Sequence, residues 1–189
     1  MTRFLIVHAT RYGQTGRIAG RIAAALAGCG RSVQAHRLGG GEPPAPQAFD
    51  AVIAGGCVRY GRHDRALVDF LRRHAHTQAR RTAGVFSVDL ISQDPAKTTP
   101  AGNVYLRKLL GRIGFCPDAA EAFAGRLDYP RYRWFDRWLI CMIIALGGPT
   151  DPAAVVEYTD FDAVDRFATR VLKLSSQPAR AAATMPAGS

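Results

Sequence analysis

Apolar and polar positions change period repeatedly along the chain, and each change marks an element. From Arg3 to His8 the residues Phe4-Leu5-Ile6-Val7 form an unbroken apolar run, the pattern of a strand buried on both faces. The turn Thr10-Arg11-Tyr12-Gly13-Gln14-Thr15 interrupts it. Directly afterwards Ile18, Ile22, Ala25 and Leu26 recur at helical spacing, which predicts an amphipathic helix from about Gln14 to Gly28. Further along, the same reading predicts strands over Ser32 to Arg37, Ala51 to Gly55 and Ala83 to Val88, and a last strand near Ala122 to Leu127. It predicts helices over about Asp64 to His74 and Asp162 to Leu174. Alternation of strand and helix points to an α/β fold, a doubly wound five-stranded parallel sheet with helices on both faces.

Two stretches exceed this minimal pattern. One runs from Leu90 to Pro100 and into a helix through Tyr105 and Leu109; the other runs from Tyr129 to Leu146. Open α/β sheets bind ligands outside the carboxyl ends of their strands, where the strand order reverses. Both insertions leave from those ends, so they are placed to shape a site. The domain is expected to span residues 1–174, with a disordered Pro/Ala/Ser tail over 175–189.

The turn after the first strand carries the first chemical signal. The opening N–H groups of a helix lack intrahelical partners, and the dipole makes that end positive. Thr10 and Thr15 add hydroxyl donors at the same point, giving a cradle for one phosphate. Neither a Gly-Lys-Ser/Thr loop nor a GxGxxG loop is present. An ordinary βα turn with a threonine cap reads equally well. Threonines spaced around a central glycine here resemble the phosphate loop of flavodoxins, which hold FMN. In such a fold Gly56-Cys57-Val58-Arg59-Tyr60-Gly61 would flank the flavin ring, with small residues letting the backbone approach closely. Ser87, Val88 and Asp89 would lie on its other side; Asp89 would touch the flavin or simply start the insertion. Cys57 reads as a small buried thiol. His63 is a weak candidate for moving protons, no better supported than a place at a helix start.

Charge changes the picture next. The formal net charge is +10 and the pI near 10.1, nearly all of it from arginine, with lysine only at 97, 108 and 173. Guanidinium forks suit carboxylates and phosphates, so anionic lipid, a carboxylate substrate or nucleic acid are the partner classes to weigh. The four cysteines form no metal-ligand or disulfide pattern, so no metal is expected and a reducing cytosol fits. Met1 leads straight into a core strand, so no signal peptide is expected. In the second insertion Arg131, Arg133 and Arg137 interleave with Tyr132, Trp134, Phe135 and Trp138 ahead of an apolar stretch too short to cross a bilayer. It suits an anionic membrane interface or a substrate, ahead of a helix packed on the sheet.

Together these stretches resemble the flavodoxin-like, quinone-dependent protoporphyrinogen IX dehydrogenases. The matching runs are Thr10 to Thr15, Arg59-Tyr60-Gly61, Phe86-Ser87-Val88, Thr99-Pro100 with Asn103, Tyr105, Arg107 and Lys108, Tyr129-Pro130-Arg131-Tyr132-Arg133-Trp134 with Asp136-Arg137, and Val156 to Asp160. Tyr12 and Gln93-Asp94 depart from the pattern. The resemblance implies strand order 2-1-3-4-5 and an FMN site. It implies oxidation of protoporphyrinogen IX to protoporphyrin IX by six electrons, passed to menaquinone or ubiquinone, in haem biosynthesis. It places the protein peripherally on the cytoplasmic face of the inner membrane, without nucleic acid and with homo-oligomerisation left open. Arg107, Arg131 and Arg133 would bind the propionates. A diffusible flavodoxin-type electron carrier and an NAD(P)H:quinone reductase are the alternatives.

Overall fold

A computed structural model describes residues 2–78, 81–114, 116–128 and 155–177. Five parallel strands form the sheet: β1 (Arg3–Ala9), β2 (Ser32–Arg37), β3 (Ala51–Arg59), β5 (Thr82–Asp89) and β6 (Ala119–Ala124). Their order is β2-β1-β3-β5-β6, and a two-residue strand, β4 (Arg62–His63), folds back antiparallel on β3. Counting the parallel strands alone, this is the expected 2-1-3-4-5.

Alternating side chains explain the two cores, because successive strand residues face opposite ways. Phe4 and Ile6 of β1, Ile53 of β3 and Phe86 of β5 face helices α1 (Gln14–Gly28) and α4 (Phe161–Ser175). Leu5 and Val7, Val52 and Val85 face α2 (Arg65–Gln78) and α3 (Val104–Ile113). Both faces of the central strands are therefore covered, which is why they read as continuous apolar runs rather than as alternation.

Most boundaries shift by a residue or a few, and three differences from the sequence reading shape the site. First, β3 continues past Gly55 to Arg59, so the expected ring-flanking loop is the arm of a hairpin. It continues because Gly55, Gly56 and Cys57 pair with Phe86, Ser87 and Val88 of β5. Asp89 likewise continues β5 one residue past the expected Val88, paired with Ala124 of β6. Second, the last parallel strand begins at Ala119 and ends at Ala124. Asp118 fixes that start, accepting the Ala83 N–H at 2.8 Å. Third, the chain then crosses Gly125 into β7 (Arg126–Asp128), which pairs antiparallel with β8 (Val155–Glu157). The 129–146 insertion and residues 178–189 of the expected 175–189 tail lie outside the described residues, while Ser175 still belongs to α4.

Candidate functional site

A cleft opens at the carboxyl ends of β1, β3 and β5, where the sheet order reverses on either side of β1. Its first wall is the β1–α1 turn. Gly13 at the helix N-cap has φ 94° and ψ −20°, left-handed backbone that suits glycine. No side chain caps α1, and its first turn holds no acidic residue. The opening N–H groups therefore face the cleft as donors with the positive end of the dipole behind them. Thr10 Oγ1 accepts the Gly13 N–H at 3.0 Å and pins the turn. Thr15 is buried. Its hydroxyl and the Arg11 N–H both bond the Cys57 sulfur, tying the turn to β3, while burial pushes the Cys57 thiol up.

The β3–β4 hairpin makes the second wall. Tyr60 and Gly61 form its tip, with φ of 48° and 73°, the positive pair that a two-residue type I′ connection requires. Tyr60 pays for that backbone in strain of about 1 kcal/mol and remains 53% exposed. The Arg59 guanidinium lies 5.6 Å from the Tyr12 ring centre and 4.8 Å from that of Tyr60, and donates to the Tyr60 hydroxyl at 3.1 Å. This stack bridges hairpin and turn, so Arg59 closes a wall as well as bringing charge to it.

Asp89, at the end of β5, anchors the third wall. Its Oδ1 accepts the Ser92 N–H at 3.0 Å and the Ser92 hydroxyl at 2.7 Å; its Oδ2 accepts from Ser87 Oγ at 3.2 Å and Asn103 Nδ2 at 3.1 Å. Burial nonetheless pushes its carboxyl up. Asn103 Oδ1 accepts the Tyr105 and Leu106 N–H groups, capping α3. One buried cluster thus fixes the first insertion and sets Tyr105 against the cleft. His63 Nε2 lies 2.9 Å from Ser87 Oγ, and burial lowers its pKa to about 4, so the ring is neutral at physiological pH.

The fourth side is a clasp. Gln14 Nε2 donates to Glu157 Oε1 at 2.7 Å and to Thr159 Oγ1 at 2.8 Å. Arg17 pairs with Glu157 Oε2 at 2.6 Å. Thr159 Oγ1 donates to the Ala124 carbonyl at 2.7 Å.

Most of the residues singled out in the sequence come together here. Thr10, Arg11, Tyr12, Gln14, Thr15, Cys57, Val58, Arg59, Tyr60, Gly61, Val88 and Asp89 line the cleft. Gly13 caps the helix behind it, and Gly56 and Ser87 are buried beneath. His63 lines a neighbouring groove instead. Arg107 lies apart from the lining, donating to the Ala101 carbonyl at 2.8 Å, because Ala101 precedes the same helix and offers an acceptor within reach. Arg131 and Arg133 lie outside the described residues. Sequence reasoning did not assign Leu90, Tyr105, Gly125 and Arg126 to the lining, nor the Asn103 hub and the Thr159 clasp. Asn103 preceding a helical pattern was an N-cap signal available in advance; Thr159 lay in the matching run Val156 to Asp160, with nothing local to mark its contact with α1.

Comparison with known proteins agrees with this geometry. The family model described as a flavodoxin domain matches residues 5–152. The chain is 37% identical over 175 residues to an Escherichia coli K12 protein named protoporphyrinogen IX dehydrogenase [quinone], covering 92% of this chain and 97% of that one. A Leishmania major protein of the same name is 38% identical over 122 residues, 64% of this chain and 53% of that one. Among solved structures, oxidised flavodoxin 2 from Bacillus cereus superposes with a TM-score of 0.56 at 16% identity, over 91% of this chain and 99% of that one.

Proposed function

This chain belongs to the flavodoxin-fold family of quinone-dependent protoporphyrinogen IX dehydrogenases, and from that premise we propose that it oxidises protoporphyrinogen IX to protoporphyrin IX with FMN as cofactor and a respiratory quinone as acceptor. The observation that carries the reading is the uncapped start of α1 beneath a hydroxyl-bearing turn, at the mouth of a cleft walled by the hairpin and the Asp89 cluster. The donor set there is N–H groups, the Thr10 hydroxyl and the Arg11 side chain, with no carboxylate in the first helical turn. It is complementary to a phosphate monoester dianion. Tyr60, Tyr105 and the segment from Cys57 to Gly61 line the same cleft, which suits a flat heteroaromatic ring.

When bound, FMN supplies a two-electron acceptor, so removing six electrons takes three rounds and reduces three quinones. The protein's contribution is binding, orientation and exclusion of water. Tyr12, Arg59 and Tyr60 close one side of the cleft; Asp89 and Tyr105 close the other. His63, neutral and bonded to Ser87, which donates in turn to Asp89, forms a hydrogen-bonded line between groove and cleft; a proton taken up from the substrate at the free ring nitrogen of His63 can be passed from Nε2 through Ser87 to the Asp89 carboxylate. The arginine- and aromatic-rich segment 129–146 holds the protein peripherally at the cytoplasmic face of the inner membrane, where a lipid-soluble quinone is found.

The test is anaerobic. Protoporphyrinogen IX added to FMN-loaded protein bleaches the visible flavin band, and a menaquinone or ubiquinone analogue restores it. Bleaching by NADPH but not by porphyrinogen would instead assign the chain to the NAD(P)H:quinone reductases.

A further inference from the structure

Beside the cleft, and sharing Gly61 and Tyr105 with it, lies a second groove of about 270 Å³. Arg62 of β4 and Lys108 and Arg112 of α3 line it, with Val68 and Leu109 as its apolar surface. Lys108 and Arg112 are four residues apart on one helix and so share a face. All three are exposed. None has a hydrogen-bond or ion-pair partner among the described residues, whereas Arg17, Arg21, Arg65, Lys97, Arg166 and Arg170 are each paired with a carboxylate. Like charges four apart on a helix are mildly destabilising, so stability does not account for grouping them without an anion. Arg107, on the same helix, turns away to the Ala101 carbonyl.

We propose that this groove is the carboxylate-binding subsite for the tetrapyrrole substrate, with Arg62, Lys108 and Arg112 receiving the two propionates while the macrocycle extends past Tyr105 into the cleft. The inference rests on the porphyrinogen reading above. The substrate is a disc with two carboxyethyl arms on one edge and methyl and vinyl groups elsewhere. A cationic groove with apolar sides that opens into an aromatic-walled cleft reproduces that polarity in the same order. Two carboxylates also match three cations better than one does, since a guanidinium takes a carboxylate with two donors and an ammonium bridges as a point charge.

The test compares wild-type holoprotein with Arg62→Gln, Lys108→Gln, Arg112→Gln and the triple variant. KM for protoporphyrinogen IX is measured alongside fluorescence titration with protoporphyrin IX and its dimethyl ester. Each single change should raise KM and Kd about fivefold and the triple change about thirtyfold or more, the scale of partly exposed ion pairs, with kcat and FMN content unchanged. The wild type should bind the dimethyl ester as weakly as the triple variant binds the free acid. The subsite is overturned if the wild type oxidises porphyrinogen and the triple variant shows unchanged KM and Kd, or if the wild type binds ester and acid equally. Because the ester comparison uses unaltered protein, it decides the matter even if a variant folds poorly. Failure of the wild type to oxidise porphyrinogen sinks the underlying reading and takes this proposal with it.

Discussion

Gly55→Ala tests whether the floor of the cleft is held by a steric fit. A Cβ at Gly55 would lie 2.0, 2.2 and 2.3 Å from three atoms of the Phe86 ring. Carbon atoms rest about 3.5–4.0 Å apart, so the ring would have to retreat by roughly 1.5 Å. It has nowhere to go. Phe86 is fully buried, with the rings of Phe123 and Phe167 centred 6.0 and 6.4 Å away. Overpacking of this kind costs about 1–3 kcal/mol, offset by about 0.5 kcal/mol because alanine restricts the unfolded chain. The net expectation is about 1.5 kcal/mol, seen as a fall of about 3–6 °C in Tm and in urea denaturation. The double variant with Phe86→Ala makes the reasoning refutable. Phe86→Ala alone opens a cavity and costs about 3–5 kcal/mol; when Gly55→Ala is added, the new methyl sits in that cavity. The two costs should therefore fall short of additive by about 2 kcal/mol. Additivity within about 0.5 kcal/mol would show that Gly55 is not kept small by Phe86.

Four further outcomes follow from the site. Gly13→Ala meets no atom within 4 Å but must hold φ at 94°, so it should cost about 1–2 kcal/mol in stability and weaken FMN binding while leaving riboflavin binding unchanged, measured by flavin fluorescence. Thr159→Val removes a donor from the Ala124 carbonyl and an acceptor from Gln14, with an expected loss of about 1–3 kcal/mol in urea and weaker FMN binding as the clasp on α1 loosens. His63 has its folded pKa depressed by burial to about 4, below an unfolded value of about 6.5; the neutral ring is favoured, so stability is complete above pH 6.5 and falls by about 3 kcal/mol as pH drops to 4. Asp89 and Glu121, both pushed up by burial, oppose that trend in acid, so the measurement is the difference in pH slope between wild type and His63→Gln, and equal slopes would refute the assignment. Replacing Arg131 and Arg133 together with alanine should lower co-sedimentation with anionic vesicles and leave neutral-vesicle binding unchanged.

How much of this was legible beforehand depended on whether the signal was local. The first helix and β2 were readable to the residue and β1 to within one, because an apolar run, a glycine turn and a 3.6-residue repeat follow one another without ambiguity. The hairpin was not. In one dimension the strand reads as ending at Gly55, yet in the sheet Gly55 and Gly56 lie mid-strand, where side chains of Phe86 and Leu67 occupy the space a Cβ would need. The charge of Arg107 is visible in the sequence, whereas the Ala101 carbonyl that engages it is not. The clasp depends on residues 145 positions apart, which no local pattern can encode.

Asp89 shows why the buried polar cluster belongs to function as much as to folding. A carboxylate with its pKa raised by burial destabilises the folded state at neutral pH relative to a comfortably solvated one, and four donors only partly offset this. An apolar residue there would relieve the penalty, but it would release Ser92 and Asn103 together. Asn103 carries the cap of α3 and accepts from the N–H of Tyr105, whose side chain borders both the cleft and the cationic groove. Directional hydrogen bonds fix orientation where apolar packing fixes only volume, so the cluster holds the first insertion in one register at the end of β5. The same carboxylate is joined through Ser87 to His63 at the groove. A single buried charge thereby sets the spacing between the Tyr105 wall of the cleft and the cations of the neighbouring groove.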